Sequence, residues 1–185
     1  MPTRAEILQR TLLAPNDPEL IASHEAGHVL MAHVVSVPIR YVTIEPRGAM
    51  LGCMHSVPLP QAWQTAAGPV SPEEKQARTR RALVDLGGMS VERMLYGKCY
   101  RDSVRPDINA ASVHARRLAG AGEPGANQLM GWFRTTCTVL CRPVVWQALE
   151  AFVPILQKER TMTADQICAF LTDCGLRYRP PAWHD

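Results

Sequence analysis

Two histidines with a glutamate between them constrain this chain more than any other stretch. His24-Glu25-Ala26-Gly27-His28 reads HExxH. On an α-helix, residues four apart lie on one face, one turn above the other. Two imidazoles so placed can ligate one zinc ion, and the glutamate beside the first can reach a water held by that ion. The flanking residues predict the helix. Asp17 can cap it, Pro18 suits the first helical position, and Glu19 suits the positive end. Pro38 stops it, so the helix is expected to run to about Ser36. Leu20, Ile21, Val29, Leu30, Val34 and Val35 cover much of its circumference, which predicts a central, buried helix. Buried imidazoles need partners, and a metal is one way to supply them. An amphipathic helix that merely shows two polar residues to solvent fits that circumference poorly. His33 falls about 140° round the helix from His28 and reads as a surface or hydrogen-bonded core histidine.

Length and composition narrow the classes. The 185 residues suit one domain with a sizeable core, and 46% apolar against 20% charged residues argue for a globular chain. A net charge of +3 is too mild and scattered for a nucleic-acid partner. No run of 18 apolar residues occurs, and Met1 to Glu6 lacks the apolar core of a signal peptide. The expectation is therefore no membrane insertion, a cytoplasmic location, and six cysteines present as free thiols. Cys137 and Cys141, four apart, read as small buried residues rather than a second metal site. No Gly-x-x-x-x-Gly-Lys loop is present, so no nucleotide site is expected.

The remaining elements follow in order. Thr3 and Glu6 form a capping box for a short first helix. Tyr41-Val42-Thr43-Ile44 reads as a strand, Pro46-Arg47-Gly48 as a turn, and Leu51 to Val57 as a returning strand. This hairpin is expected to leave an edge exposed, and Val42, Thr43 and Ile44 are candidates to hold an extended substrate by main-chain hydrogen bonds. Alternatively the hairpin only covers the core. His55 reads as solvated. Four prolines between Pro58 and Pro72 predict a loop. Ser71 caps a long helix expected to reach Tyr96 and end at Gly97. Gly87 and Gly88 fall inside that helix and cost roughly 2 kcal/mol in propensity, which close packing against another helix would offset. Glu92, one turn later, is a metal ligand, a partner to a ligating histidine, or a surface charge. Gly97 to Pro106 reads as a polar loop, and Asp107 as either a helix cap or the third ligand. A glycine-rich turn at 120–125 precedes helices over about 126–141 and 143–158, the latter bent at Pro154, and Thr163 caps a last helix to about Asp173.

With these pieces in hand, the chain resembles the peptidase domain of the FtsH family of ATP-dependent zinc metalloproteases. The residues that carry the resemblance are His24 to His28, Val42 to Gly48, Leu51-Gly52, Leu86-Gly87-Gly88 with Glu92, Tyr96-Gly97, and Asp107-Ile108 with Ala111. A weaker similarity covers Ala148 to Leu171. The resemblance implies a mainly α fold, a multi-helix peptidase domain with one small β-hairpin. It divides the chain into an N-terminal helix (1–16), a zinc-site core (17–120) and C-terminal helices (121–185). It implies Zn2+ held by His24, His28 and Asp107, Glu25 as catalytic base, and Glu92 in a supporting role, with Glu92 as third ligand the alternative. It implies a protein or peptide substrate and a homohexameric ring. The family's transmembrane segments and ATPase module are not found in these residues. An ATP-independent endopeptidase acting on flexible or unfolded segments is therefore expected, or one fed by a separate ATPase partner. A non-proteolytic zinc-binding module that keeps the fold is the rival.

Overall fold

The computed structural model describes residue 14 and residues 16–48, 50–64 and 68–177. The helix expected at residues 1–16 lies almost wholly outside these. The fold is built on α1, Pro18–Val34. Asp17 caps it through its side chain, which accepts from the Glu19 N–H at 2.8 Å, and Pro18 opens it, as the residues predict. Thirteen of its residues are buried, from Leu20 to His33. A helix apolar on all sides must be covered on all sides, and α1 is enclosed mainly by α4 and α7, with α3, α6 and the sheet completing the shell.

The sheet departs from the expected hairpin. β1 (Ile39–Thr43) pairs antiparallel with β2 (Cys53–Ser56) as predicted, but also with β3 (Thr161–Thr163) on its other side, giving the order β2-β1-β3. Val42 faces Met54 on one flank and Met162 on the other. Ile44 donates its N–H to the Arg160 carbonyl at 2.8 Å, and Thr43 Oγ1 lies 2.7 Å from Thr161 Oγ1. Val42, Thr43 and, just past the end of β1, Ile44 are buried and bonded on the β3 side, so they are not a substrate edge; the outer strands are β2 and β3. His55 on β2 is exposed and stacks on Tyr41, with ring centroids 4.4 Å apart.

After a short helix α2 (Gln61–Gln64), the long helix expected from Ser71 to Tyr96 is two helices. Ser71 caps α3 (Pro72–Asp85), and α4 (Gly87–Tyr96) begins past the break at Leu86. The break sits where α4 meets α1. A Cβ on Gly87 would lie 2.4 Å from the Gly27 carbonyl oxygen, and one on Gly27 would lie 2.5 Å from the Gly87 carbonyl oxygen. The glycines therefore set a backbone-to-backbone crossing, the close packing that their propensity cost called for. Gly97, at φ 68°, ends α4 in the left-handed region.

The polar loop expected at 97–106 is largely helix. α5 spans Arg101–Ala119 with Pro106 inside it, so Asp107 lies in its second turn and is not its cap. No side chain of α5 caps its own start. Glu92 of α4 does so instead: its Oε2 accepts the Tyr100 N–H at 2.7 Å and its Oε1 the Ser103 hydroxyl at 2.6 Å. A carboxylate at a helix N-terminus is favoured by the helix dipole, and no local pattern announces one that arrives from another helix. α6 (Glu123–Leu140), α7 (Pro143–Glu159) and α8 (Ala164–Asp173) complete the shell, with Thr163 and Gln166 forming a capping box at the start of α8. The fold is mainly α with one small sheet, and its six cysteines are free. Among the described residues no single helix is long and apolar enough to cross a membrane.

Candidate metal centre

α1 presents His24 and His28 from one face, with their rings edge-to-face and centroids 4.8 Å apart. Each ring is fixed by its Nδ1. His24 Nδ1 lies 2.7 Å from Glu92 Oε1, and His28 Nδ1 lies 2.7 Å from the Val84 carbonyl oxygen. Both partners only accept, so each Nδ1 carries the proton and, in the neutral rings, each Nε2 exposes a lone pair. These two nitrogens are 3.0 Å apart. Asp107 Oδ2 joins them from α5, at 3.0 Å from His24 Nε2 and 3.2 Å from His28 Nε2.

Three lone-pair atoms thus converge from three buried or partly buried side chains. Tetrahedral zinc ligands stand about 2.0–2.1 Å from the ion and hence roughly 3.3 Å from one another. The observed triangle is close to that spacing. Asp107 Oδ2 is buried and accepts no well-directed hydrogen bond from the described residues, as expected of an atom whose partner is a cation. In the protein alone, protons must take that cation's place. Burial by itself would lower the His24 pKa, but the Asp107 and Glu92 carboxylates and the Glu25 charge lift it to about 10. The same contest, with Asp107 dominant among the raising influences, lifts His28. Burial would raise Asp107, yet the two imidazoles hold it below the usual carboxylate range. A ligand set that strongly favours a shared positive charge fits a divalent metal.

Room for these side chains is made by glycines. A Cβ on Gly88 would sit 2.5 Å from His24 Cε1 and Nε2, inside the ring's own space. A Cβ on Gly52 would sit 3.0 Å from Glu25 Cγ and Oε1. Glu25 is 6% exposed, and its Oε2 has no hydrogen-bond partner among the described residues. Burial raises its pKa against the opposing pull of His28 and His24. It is a carboxylate with one oxygen free beside the convergent triangle.

The triangle and Glu25 open on a cleft of about 360 Å³. Leu20, Ile21, Leu51 and Met54 line its apolar wall, and Arg81 and Asp85 belong to a polar one. Residues of β2, one of the two outer strands of the sheet, run along it. His24, Glu25, His28 and Asp107 therefore come together as the residues predict. Glu92 reaches His24 on the side away from the triangle, so it orients a candidate ligand and is not itself one. His33 is remote: its Nε2 contacts the Leu176 carbonyl at 3.0 Å. Sequence reasoning missed the Val84 carbonyl, which no side-chain pattern can reveal, and Asp85, which reads as an ordinary helical charge.

Comparison with known proteins agrees with this geometry. Residues 11–120 match the model of Peptidase family M41. The chain is 30% identical over 115 residues to an ATP-dependent zinc metalloprotease FtsH of Marinobacter nauticus, covering 58% of this chain and 16% of that protein. It is 38% identical over 85 residues to an ATP-dependent zinc metalloprotease FtsH of Parabacteroides distasonis, covering 42% of this chain and 10% of that protein. It is 25% identical over 151 residues to the ATP-dependent zinc metalloprotease YME1L1 of Mus musculus, covering 80% of this chain and 20% of that protein. The chain thus spans a fifth or less of the length of these relatives. Since the family match covers more than half of its residues and encloses every residue of the convergent triangle, the chain belongs to peptidase family M41.

Proposed function

We propose that this chain is a zinc-dependent metalloendopeptidase that hydrolyses peptide bonds in flexible or unfolded protein segments, with chemistry that needs no nucleotide. The observation that carries the reading is the pairing of a buried three-ligand triangle with a free carboxylate oxygen on the adjacent residue. His24, His28 and Asp107 are the ligands in this reading, and three protein ligands leave one position open, the pattern of catalytic rather than structural zinc sites. Bound there, zinc supplies Lewis-acid polarisation of the scissile carbonyl and acidifies the attacking water.

The chain's own residues do the rest. Glu25 Oε2 takes the proton of the attacking water and delivers it to the leaving amine; burial, which raises its basicity, suits both steps. Glu92 and the Val84 carbonyl hold the two imidazoles in the ligating tautomer. The free edge of β2 is positioned to pair with an extended substrate backbone, and Leu20, Ile21, Leu51 and Met54 offer an apolar wall to its side chains. The relatives are named as ATP-dependent, and a motor that unfolds substrate, together with a ring of identical subunits, is the assembly in which we place this domain. The cleavage step itself uses only the residues above.

The test is a Glu25→Gln variant. It is expected to retain one zinc per chain and lose cleavage of an unfolded protein substrate by at least two orders of magnitude, the low end for a positioned general base. Zinc retained with undiminished biological activity would instead favour a non-proteolytic zinc module.

A further inference from the structure

Asp85 is a buried carboxylate in the cleft that nothing in the chemistry above uses. It ends α3, one residue after the Val84 carbonyl that holds His28, and it lines the cleft beside Asp107. Its Oδ2 is buried and has no hydrogen-bond partner among the described residues. Two cationic or potentially cationic groups lie near it, and neither satisfies it. Arg81 Nε stands 3.7 Å from the other oxygen, Oδ1, while its Nη1 donates to Ser56 Oγ and to the Val57 carbonyl, so the guanidinium is committed to the end of β2. His114 Nε2 stands 3.6 Å away, too far for a hydrogen bond. Burial and the Arg78 and Arg81 charges hold His114 at about 4, so it is neutral near pH 7. A buried carboxylate without a donor is costly: burial pushes Asp85 up to about 7 against the opposing Arg81 and His28 charges, and the group faces a cleft large enough to admit a side chain whose positive charge would favour its ionised form. Asp102, exposed in the first turn of α5, adds another carboxylate to the same cleft.

We propose that Asp85 forms the floor of a subsite that accepts a lysine or arginine side chain of the peptide substrate. The cationic head would supply the donor that Asp85 Oδ2 lacks, and its aliphatic stem would lie along the cleft wall. An acidic side chain is disfavoured there, because Arg81 is already engaged by acceptors of the protein and Asp85 and Asp102 repel it. This inference rests on the metallopeptidase reading for the direction of the substrate's approach, but its binding step can be observed without turnover.

The test uses zinc-loaded Glu25→Gln protein and fluorescent peptides identical except for one central residue: lysine, norleucine or glutamate. Binding is read by anisotropy. Lysine is expected to bind on the order of tenfold more tightly than norleucine, the size of one charge-assisted hydrogen bond in a partly wet site, and glutamate most weakly. Adding Asp85→Asn is expected to abolish the lysine advantage while zinc content is kept. Equal binding of the three peptides to the Asp85-intact protein overturns the subsite and leaves a water molecule as the partner of Asp85. A lysine advantage that survives Asp85→Asn also overturns it. If Asp85→Asn fails to fold, the peptide series on the Asp85-intact protein still decides, because norleucine removes the charge from the substrate side. Cleavage separates the two readings. Preference for lysine without hydrolysis by the Glu25-intact protein would sink the peptidase and keep the subsite; hydrolysis of all three peptides alike would do the reverse.

Discussion

Replacing Gly88 with alanine adds a single methyl group at the place where the candidate centre has least slack. That carbon would lie 2.5 Å from His24 Cε1 and Nε2 and 2.6 Å from Cδ2, so three ring atoms would be overlapped at once. Carbon contacts are comfortable at about 3.5–4.0 Å, so the ring or the helix must give by roughly 1 Å. The ring cannot easily retreat. Glu92 Oε1 holds its Nδ1 at 2.7 Å, and Asp107 stands 3.0 Å from its Nε2. Helix α4 cannot easily retreat either, because Gly27 and Gly87 already bring the two backbones into contact. The methyl therefore moves His24 off the triangle. Repositioning a ligand by this much should weaken zinc binding by at least the roughly 10–100-fold typical of lost ligand support. Overpacking should cost about 1–3 kcal/mol of folding stability, partly offset by up to about 1 kcal/mol from replacing a helical glycine. The matched control is Gly131→Ala in α6, where an added Cβ meets nothing within 4 Å and should stabilise. Zinc affinity by competition with a chelator, alongside thermal unfolding, measures both effects. A folded Gly88→Ala protein that binds zinc as tightly as the unsubstituted chain would refute the packing argument.

Two other outcomes are expected. Glu92→Gln should weaken zinc binding on the order of 10–100-fold and lower stability by about 2 kcal/mol, since one amide cannot accept from His24, Tyr100 and Ser103 together; unchanged zinc affinity would show that His24 needs no such support. Stripped of zinc, the protein should lose stability as pH rises. The folded His24 pKa of about 10 is above its ordinary 6.5, so its stabilising contribution is complete below about 6.5 and is lost as pH climbs through about 10. Denaturant midpoints of the metal-free protein across that range, with zinc restored as the comparison, check this, and a flat profile would contradict it.

Much of this molecule is local and was therefore readable from residues in order. The caps at Asp17, Ser71 and Thr163 are formed by neighbours in the chain, and each side chain accepts the backbone N–H expected of it. The apolar circumference of α1 predicted its burial, and the glycine pair predicted a close helix crossing. Misreadings occurred where the partner was remote in sequence. Strand β3 is three residues long and is separated from β1 by over a hundred residues, so the chain showed a hairpin where the fold has a sheet. With that strand added, Val42 to Ile44 moved from an expected edge to the centre. The start of α5 looked like a loop because its N-terminal donors are satisfied by Glu92, from another helix.

By itself the sequence determined the helical spacing of His24 and His28, the position of Glu25 between them, and a shortlist of carboxylates for the remaining roles. Spacing along one helix is a covalent consequence, so no tertiary information is needed to predict it. Only the tertiary structure decided which carboxylate does what. Asp107 meets the two Nε2 atoms, Glu92 meets the opposite nitrogen of His24, and Asp85 is left facing the cleft with an unsatisfied oxygen. These three are separated along the chain and carry the same functional group. What distinguishes them is the side of an imidazole, or of a cleft wall, to which the packing of α3, α4 and α5 around α1 delivers each one.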